Sequence, residues 1–200
     1  MPTYGVEDTS ISDVLKIWIK QGSVQVVGII GPGTSRTLTA KWNNPLMQAN
    51  AGSVQGLDTI ANLGQIETGK TSISNMNTTQ VWEGNESTTF NLNMIFIAQS
   101  DAKKEVMMAL QALEEFASPE VNALAPGGRI PGMVSICIGT KVALTECVIE
   151  NISMPLDKER DKDGNLIRAE ITLTVATKRM KSQSEVAATW SSAQIVPKQS

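Results

Sequence analysis

The sequence predicts a mainly β protein with one central helix, folded as an antiparallel β-sandwich or barrel. Alternating apolar and polar residues recur in several segments, whereas helical spacing occurs in a single segment near the middle. Successive strands are not regularly separated by helices, which argues against a parallel sheet. The 200 residues, 41% of them hydrophobic, are enough to bury one ordinary core. We therefore expect one β-domain over residues 1–180, with a long polar excursion at about 46–80 and a flexible C-terminal arm at 181–200.

The N-terminal segment predicts a hairpin followed by a third short strand. Apolar and polar residues alternate from Val14 to Lys20, and a second apolar run extends from Val24 to Ile30 after the turn Gln21-Gly22-Ser23. A tight turn at "GPGTSR" leads into "TLTAKW", which predicts another strand. Residues 46–80 are rich in Asn, Ser, Thr, Gly and Gln, with apolar residues too sparse to form a face, so we expect long loops there.

The centre of the chain predicts a strand and then the helix. In "STTFNLNMIFIAQ" apolar side chains alternate with polar ones, and five should point to the core: Phe90, Leu92, Met94, Phe96 and Ala98. Asp101 suits the positive N-terminal end of a helix, and Ser118-Pro119 should end it. Between them, spacings of three and four positions predict one buried face, formed by Ala102, Val106, Ala109, Leu110, Leu113, Phe116 and Ala117.

The C-terminal part predicts the remaining strands. Residues 134–138 alternate, and residues 141–154 should continue as one long or bulged strand. Residues 169–177 have the most regular alternation in the chain, so that Ile171, Leu173 and Val175 should point inward. The helix thus interrupts a series of strands, as expected for a sandwich or barrel with one packed helix.

Composition excludes several classes of function. The sequence has no histidine, which removes serine triads with a histidine base, cysteine–histidine dyads and HExxH zinc sites. A net charge of −3, with the 17 Lys and Arg residues scattered, does not fit specific nucleic-acid binding. Cys137 and Cys147 are too few for a zinc site, and we expect buried, reduced thiols, with a disulfide between them as the lesser alternative. We find no pair of carboxylates placed for acid–base work, so we expect neither catalysis nor a cofactor.

Residues 64–71, "GQIETGKT", match the phosphate-binding pattern G-x-x-x-x-G-K-[ST]. In such a loop Lys70 would reach the phosphates and Thr71 would hold magnesium. The pattern requires a buried strand before the loop and a helix after it, because the helix N-terminus supplies the positive field. Here the preceding segment is polar, and the following one is rich in β-branched residues and Asn. Gly69, Lys70 and Thr71 therefore remain weak candidates, and we expect no nucleotide site.

Residues 159–170, "ERDKDGNLIRAE", are similar in composition to a calcium-binding loop. Asp161, Asp163 and Glu170 occupy ligand positions 3, 5 and 12 of such a loop, and Gly164 occupies position 6, where these loops have a glycine. Such a loop lies between two helices, however, whereas predicted strands flank this segment. Asp163-Gly164 is also typical of a hairpin turn. We predict a charged hairpin joining the last two strands, with Asp161, Asp163 and Glu170 as weak metal candidates.

The apolar runs of the sequence are short. The longest, "VQVVGII" and "MIFIA", are far below the roughly 18 residues that a membrane-spanning helix needs. The first residues do not have the pattern of a secretion signal. We expect a soluble protein made in the cytoplasm.

Residues 81–177 contain an ordered set of features: a strand after Trp82-Glu83-Gly84, a helix from Asp101 to Pro119, a strand end at Ile138-Gly139 and the Asp163-Gly164 hairpin. This set resembles the baseplate and tube-associated proteins of contractile bacteriophage tails, whose longer members carry a C-terminal LysM module. The first eighty residues do not contribute to the resemblance. No LysM module follows Thr177, so the chain is similar to the short form.

The resemblance implies a structural virion protein with a tail-tube-like fold, assembled in the bacterial host cytoplasm and found in the virion tail. The protein would lie at the junction of tube and baseplate. Alternatively, it would be a tube, terminator or neck subunit of the same kind of particle. Copies would form a ring, expected to be a hexamer, and contact neighbouring tail proteins without cofactor, nucleic acid or membrane. The expected contact regions are the excursion from Leu46 to Gln80 and the arm after Lys178.

Overall fold

The structure, a computed structural model, describes residues 1–43, 80–119 and 130–191. Its contacts divide the chain into two units: Met1–Leu38 together with Ser87–Ser200, and Thr39–Glu86. The larger unit contains a β-barrel, and the smaller unit contains a two-stranded ribbon. The predicted excursion at 46–80 lies almost wholly outside the described residues.

Ten strands are numbered in chain order over the described residues. Their bounds are β1 Thr3–Gly5, β2 Lys16–Gln21, β3 Val24–Ile30, β4 Ser35–Thr37, β5 Ala40–Asn43, β6 Val81–Asn85, β7 Thr89–Ile97, β8 Val134–Ile138, β9 Val142–Ser153 and β10 Arg168–Thr177. In the larger unit, the order β3-β2-β8-β9-β10-β7 is antiparallel throughout and closes on itself. Closure occurs where Ile29 and Ile30 of β3 pair with Ile95 and Met94 of β7. The predicted antiparallel barrel is confirmed, and the sandwich alternative is not the fold.

Two short strands extend the barrel sheet. β4 pairs antiparallel with β7, and β1 pairs parallel with β3. The parallel pair was not expected, because three residues carry no periodic signal. In the smaller unit, β5 and β6 form an antiparallel ribbon of their own.

The predicted N-terminal hairpin is confirmed as β2 and β3. Gly22 provides the left-handed turn conformation with φ +57°, and Ile17 and Ile19 are fully buried. Lys16 is buried as well, and its ammonium donates to the Asp8 carbonyl oxygen at 2.8 Å and to Asp13 Oδ1 at 3.2 Å. Leu15 lies in a 3₁₀ turn over Asp13–Leu15 rather than in the strand.

The predicted helix is confirmed, with an irregular first turn. Residues Lys103–Met107 are π-helical, and α1 continues over Met108–Ala117. The Asp101 carboxylate caps the start, because the backbone amides of Lys103 and Lys104 donate to it at 2.9 and 3.1 Å. One face of the helix is buried in the same core as the barrel interior, through Val106, Ala109, Leu110, Ala112, Leu113 and Phe116.

The inward positions predicted for the central and last strands are confirmed, except for Ala98, which lies just after β7 and is half-buried. Phe90, Leu92, Met94 and Phe96 of β7 are at most 2% exposed, and so are Ile171, Leu173 and Val175 of β10. The predicted bulging of the strand after Gly139 is confirmed in β9, whose pairing shifts register against both β8 and β10. Glu146 lies at one shift, with φ +58°.

The C-terminal segment differs from the expected flexible arm. Residues Gln183–Ser191 form helix α2, whereas residues 192–200 lie outside the described part of the chain. Ser182 and Glu185 form a capping box: the Ser182 amide donates to Glu185 Oε2 at 2.8 Å, and the Glu185 amide donates to Ser182 Oγ at 3.3 Å. The Ser-x-x-Glu spacing is the signal that could have predicted this helix.

Candidate interaction surfaces

The loop between β9 and β10 is organised by the Asp161 carboxylate. It accepts hydrogen bonds from the Asp163 amide at 2.9 Å, the Asn165 amide at 2.8 Å and the Asn165 side chain at 3.0 Å. The Asn165 side chain is the largest cause of the lowered pKa of Asp161. Gly164, with φ +85°, completes a turn in which its amide donates to the Asp161 carbonyl at 3.1 Å. The predicted charged hairpin between the last two strands is present.

The three metal candidates of this loop are not brought together. Asp161 is occupied by its own loop, and Glu170 forms an ion pair with Arg168 on β10. Over the described ranges, no group of three or more Asp, Glu or Cys side chains could hold a metal ion. The nucleotide candidates Gly69, Lys70 and Thr71 lie outside the described residues.

A cleft of about 530 Å³ lies between residues 5–9 and residues 97–105 of the larger unit. Its carboxylates are held by local donors. Asp8 accepts from Ser10, which is the main cause of its lowered pKa, and Glu7 forms an ion pair of 2.8 Å with Lys104. Burial acts to raise the pKa of Glu105, but hydrogen bonds from Ser100 and from nearby amides outweigh it and lower the pKa. With lowered pKa values, Asp8 and Glu105 stay ionised at neutral pH and are not ready proton donors.

Both cysteines are free and buried, as predicted. Burial raises the pKa of the Cys147 thiol to about 11 and also raises the pKa of Cys137. Thiols with raised pKa hold little thiolate at neutral pH and are poor nucleophiles.

The ribbon of the smaller unit exposes two tryptophans side by side. Trp42 of β5 lies directly opposite Trp82 of β6, and the two side chains are 58% and 49% exposed. Val81, next to Trp82 in β6, is 49% exposed. Lys41 forms an ion pair with Glu86 at 2.8 Å, and the Asn43 side chain donates a hydrogen bond to Glu83 at 2.7 Å. The Trp42–Trp82 pair therefore forms an exposed apolar patch on the ribbon.

Helix α2 lies against the barrel through a stack of three side chains, which we call the Arg36 stack. The guanidinium carbon of Arg36, on β4, is 5.5 Å from the ring centre of Phe90 and 5.6 Å from that of Trp190. Phe90 is buried in the core, whereas Trp190 near the end of α2 is 55% exposed. Contact roles for Arg36, Trp42 and Trp190 could not be predicted from the sequence, because single residues of these types carry no pattern.

Neither helix of the described chain has the length and apolar character that crossing a bilayer requires. No known protein-family model matches the sequence, and no curated protein matches it.

Proposed function

We propose that this chain is a non-enzymatic structural protein of a contractile bacteriophage tail, located at the tube and baseplate junction. Copies of the chain form a ring, a hexamer by the resemblance, and contact neighbouring tail proteins. A tube, terminator or neck subunit of the same kind of particle is the alternative within this class. The assignment to a tail rests on the ordered set of features in residues 81–177.

The observation that carries the structural role is the exposed pair Trp42 and Trp82. A two-stranded ribbon alone is marginally stable in water, and three or more strands or a packing partner are usually needed. Large apolar side chains on such an element are typical of surfaces that contact another chain. Aromatic residues are also enriched in the cores of protein interfaces.

The packed interior of the barrel also supports a structural role. Its interior is filled by one continuous core of strand and helix side chains, so it leaves no central ligand chamber in the described residues. Hydrogen bonds from local donors lower the pKa of Asp8 and of Glu105 in the cleft. A packed scaffold with contact groups on its outside suits an assembly subunit.

Quantitative mass spectrometry of gradient-purified particles tests the proposal. The chain should be present in purified tails in several copies per particle, in a number divisible by the order of the ring. Its absence from tails, with the chain recovered only from the unassembled fraction of the lysate, would contradict the proposal.

A further inference from the structure

Arg36 is the one described arginine whose guanidinium has no hydrogen-bond acceptor among residues 1–43, 80–119 and 130–191. Arg160 donates to the carbonyl oxygens of Leu156 and Gly164, Arg168 pairs with Glu170, and Arg179 pairs with Glu185. The contacts of Arg36 are instead the rings of Phe90 and Trp190. The described residues therefore leave its hydrogen-bonding capacity unused.

In the Arg36 stack, the edge of the guanidinium is the part that can still donate hydrogen bonds. Rings at 5.5 and 5.6 Å cover the group, and the planar fork of N–H donors points along its edge. Phe90 is 2% exposed and fixed in the core, so one wall of the stack is rigid. Because the side chain is already held in place, less conformational freedom is lost when an acceptor binds.

The surroundings of Arg36 favour a protein partner. A single partly exposed arginine holds a free small anion weakly, because water competes for both charges. Beside it, however, Trp190 and Leu38 are both more than half exposed and offer apolar surface. Arginine and tryptophan are the side chains most enriched at the energetic centres of protein interfaces. β4 pairs with β7 alone in the described sheet.

We propose that the Arg36 stack binds a carboxylate side chain, Asp or Glu, of a partner protein chain. The carboxylate accepts two N–H groups from the edge of the guanidinium, the geometry that arginine and carboxylate share. The apolar part of the same partner segment packs on the exposed face of Trp190. This inference depends on the contacts of Arg36 and not on the phage-tail assignment.

A titration with acidic and neutral peptides tests this proposal on the full chain. The probes are acetylated, amidated hexaglutamate and hexaglutamine, and the readouts are the Arg36 Nε–H and Trp190 indole N–H signals in NMR spectra. Hexaglutamate should shift both signals saturably, with an affinity about tenfold or more above that for hexaglutamine. Equal shifts by the two peptides would overturn the proposal.

Three further arms complete the test. Arg36→Lys keeps the charge but removes the paired N–H donors of the guanidinium. The affinity for hexaglutamate, measured from the Trp190 indole N–H signal, should fall about tenfold. Arg168→Gln, at a paired arginine on β10, should leave binding unchanged. Inorganic phosphate should compete weakly, and an affinity for phosphate equal to that for hexaglutamate would replace the partner chain with a free anion. Because the two peptides are compared on the unaltered chain, the main result does not depend on the folding of any variant.

Discussion

At the scale of single residues, carboxylates in this protein are used to order the backbone. Asp101 caps the π-helical turn that leads into α1, Asp161 holds the β9–β10 loop, and Glu185 closes the capping box of α2. Each of these carboxylates accepts hydrogen bonds from backbone amides. Short acidic motifs in this sequence therefore mark turns and helix starts.

Removal of the Asp161 carboxylate should destabilise the β9–β10 loop, and calcium should have no effect on the melting temperature with or without that carboxylate. In Asp161→Ala the amides of Asp163 and Asn165 lose their shared acceptor, so the melting temperature should fall by a few degrees. Millimolar calcium should leave the melting temperature of both the unaltered chain and the variant unchanged. A calcium-dependent rise that disappears in Asp161→Ala would contradict this account. Lys162→Ala, within the same loop, is the control.

The Glu185 carboxyl should titrate far below an ordinary glutamate. Hydrogen bonding to Arg179, followed by the bonds from Ser182, lowers its pKa from 4.5 to about 2. Since the folded-state pKa is depressed, its contribution to α2 is complete above about pH 4.5 and is lost as the pH falls towards 2. NMR titration of the carboxyl carbon should give this midpoint, and Arg179→Gln should move it back towards 4.5. A midpoint near 4.5 in the unaltered chain would refute the ion pair.

At the scale of elements, the attachment of β1 depends on the absence of a side chain at Gly5. Gly5 has φ +101°, and a Cβ at this position would collide with the Val27 carbonyl oxygen. The same oxygen accepts the Val6 amide at 2.8 Å, so the collision falls on the pairing that holds β1 to β3. Gly22 also has a positive φ, but its Cβ position is open.

Two alanine substitutions separate these effects. Gly5→Ala combines strain with the collision and should destabilise the fold by about 3 kcal/mol or more. Gly22→Ala has the strain alone and should cost about 1–2 kcal/mol. Urea unfolding of both variants measures the difference. Equal decreases in the free energy of unfolding would contradict the account, because they would show that β1 shifts to accommodate the added methyl group at little cost.

The elements with long periodic patterns could be predicted from the sequence, and the short ones could not. β7, β10 and α1 have alternation or helical spacing over nine or more residues, and most of their buried residues are as predicted. In the helix, the predicted Ala102 and Ala117 are only half-buried, and Ala112 is buried although it was not predicted. β1 and β4 span three residues each and are fixed by pairing with distant strands. α2 was missed because the polar composition after Lys181 outweighed its capping box. Closure of the barrel depends on two residue pairs, and no local pattern specifies them.

At the scale of the whole molecule, the barrel is a closed scaffold and the groups available to partners lie outside it. The candidate surfaces are the Trp42–Trp82 pair on the ribbon and the Arg36 stack on the larger unit. The sequence predicted contact regions at 46–80 and after Lys178; Trp190 lies in the second of these, whereas both ribbon tryptophans lie outside the first. A site made from neighbours across strands depends on register, which single-sequence patterns do not give.

Replacement of both ribbon tryptophans should impair assembly more than folding. In the double variant Trp42→Ser with Trp82→Ser, the apolar patch is lost while the barrel core is untouched. Self-association of the purified chain, measured by sedimentation velocity, should weaken about tenfold or more. The cooperative melting transition of the barrel should be retained. Trp18→Phe, in the buried cluster with Val27 and Cys137, is the control for a tryptophan outside the patch.

The most direct test is a cryo-electron microscopy reconstruction of the particle that contains this chain. The account predicts a ring of copies around a tube near the baseplate, with Trp42 and Trp82 buried between neighbouring subunits. A reconstruction without a ring of this chain, or one in which Trp42 and Trp82 are exposed to solvent, would contradict the account. A purified chain that stays a monodisperse monomer would also contradict it.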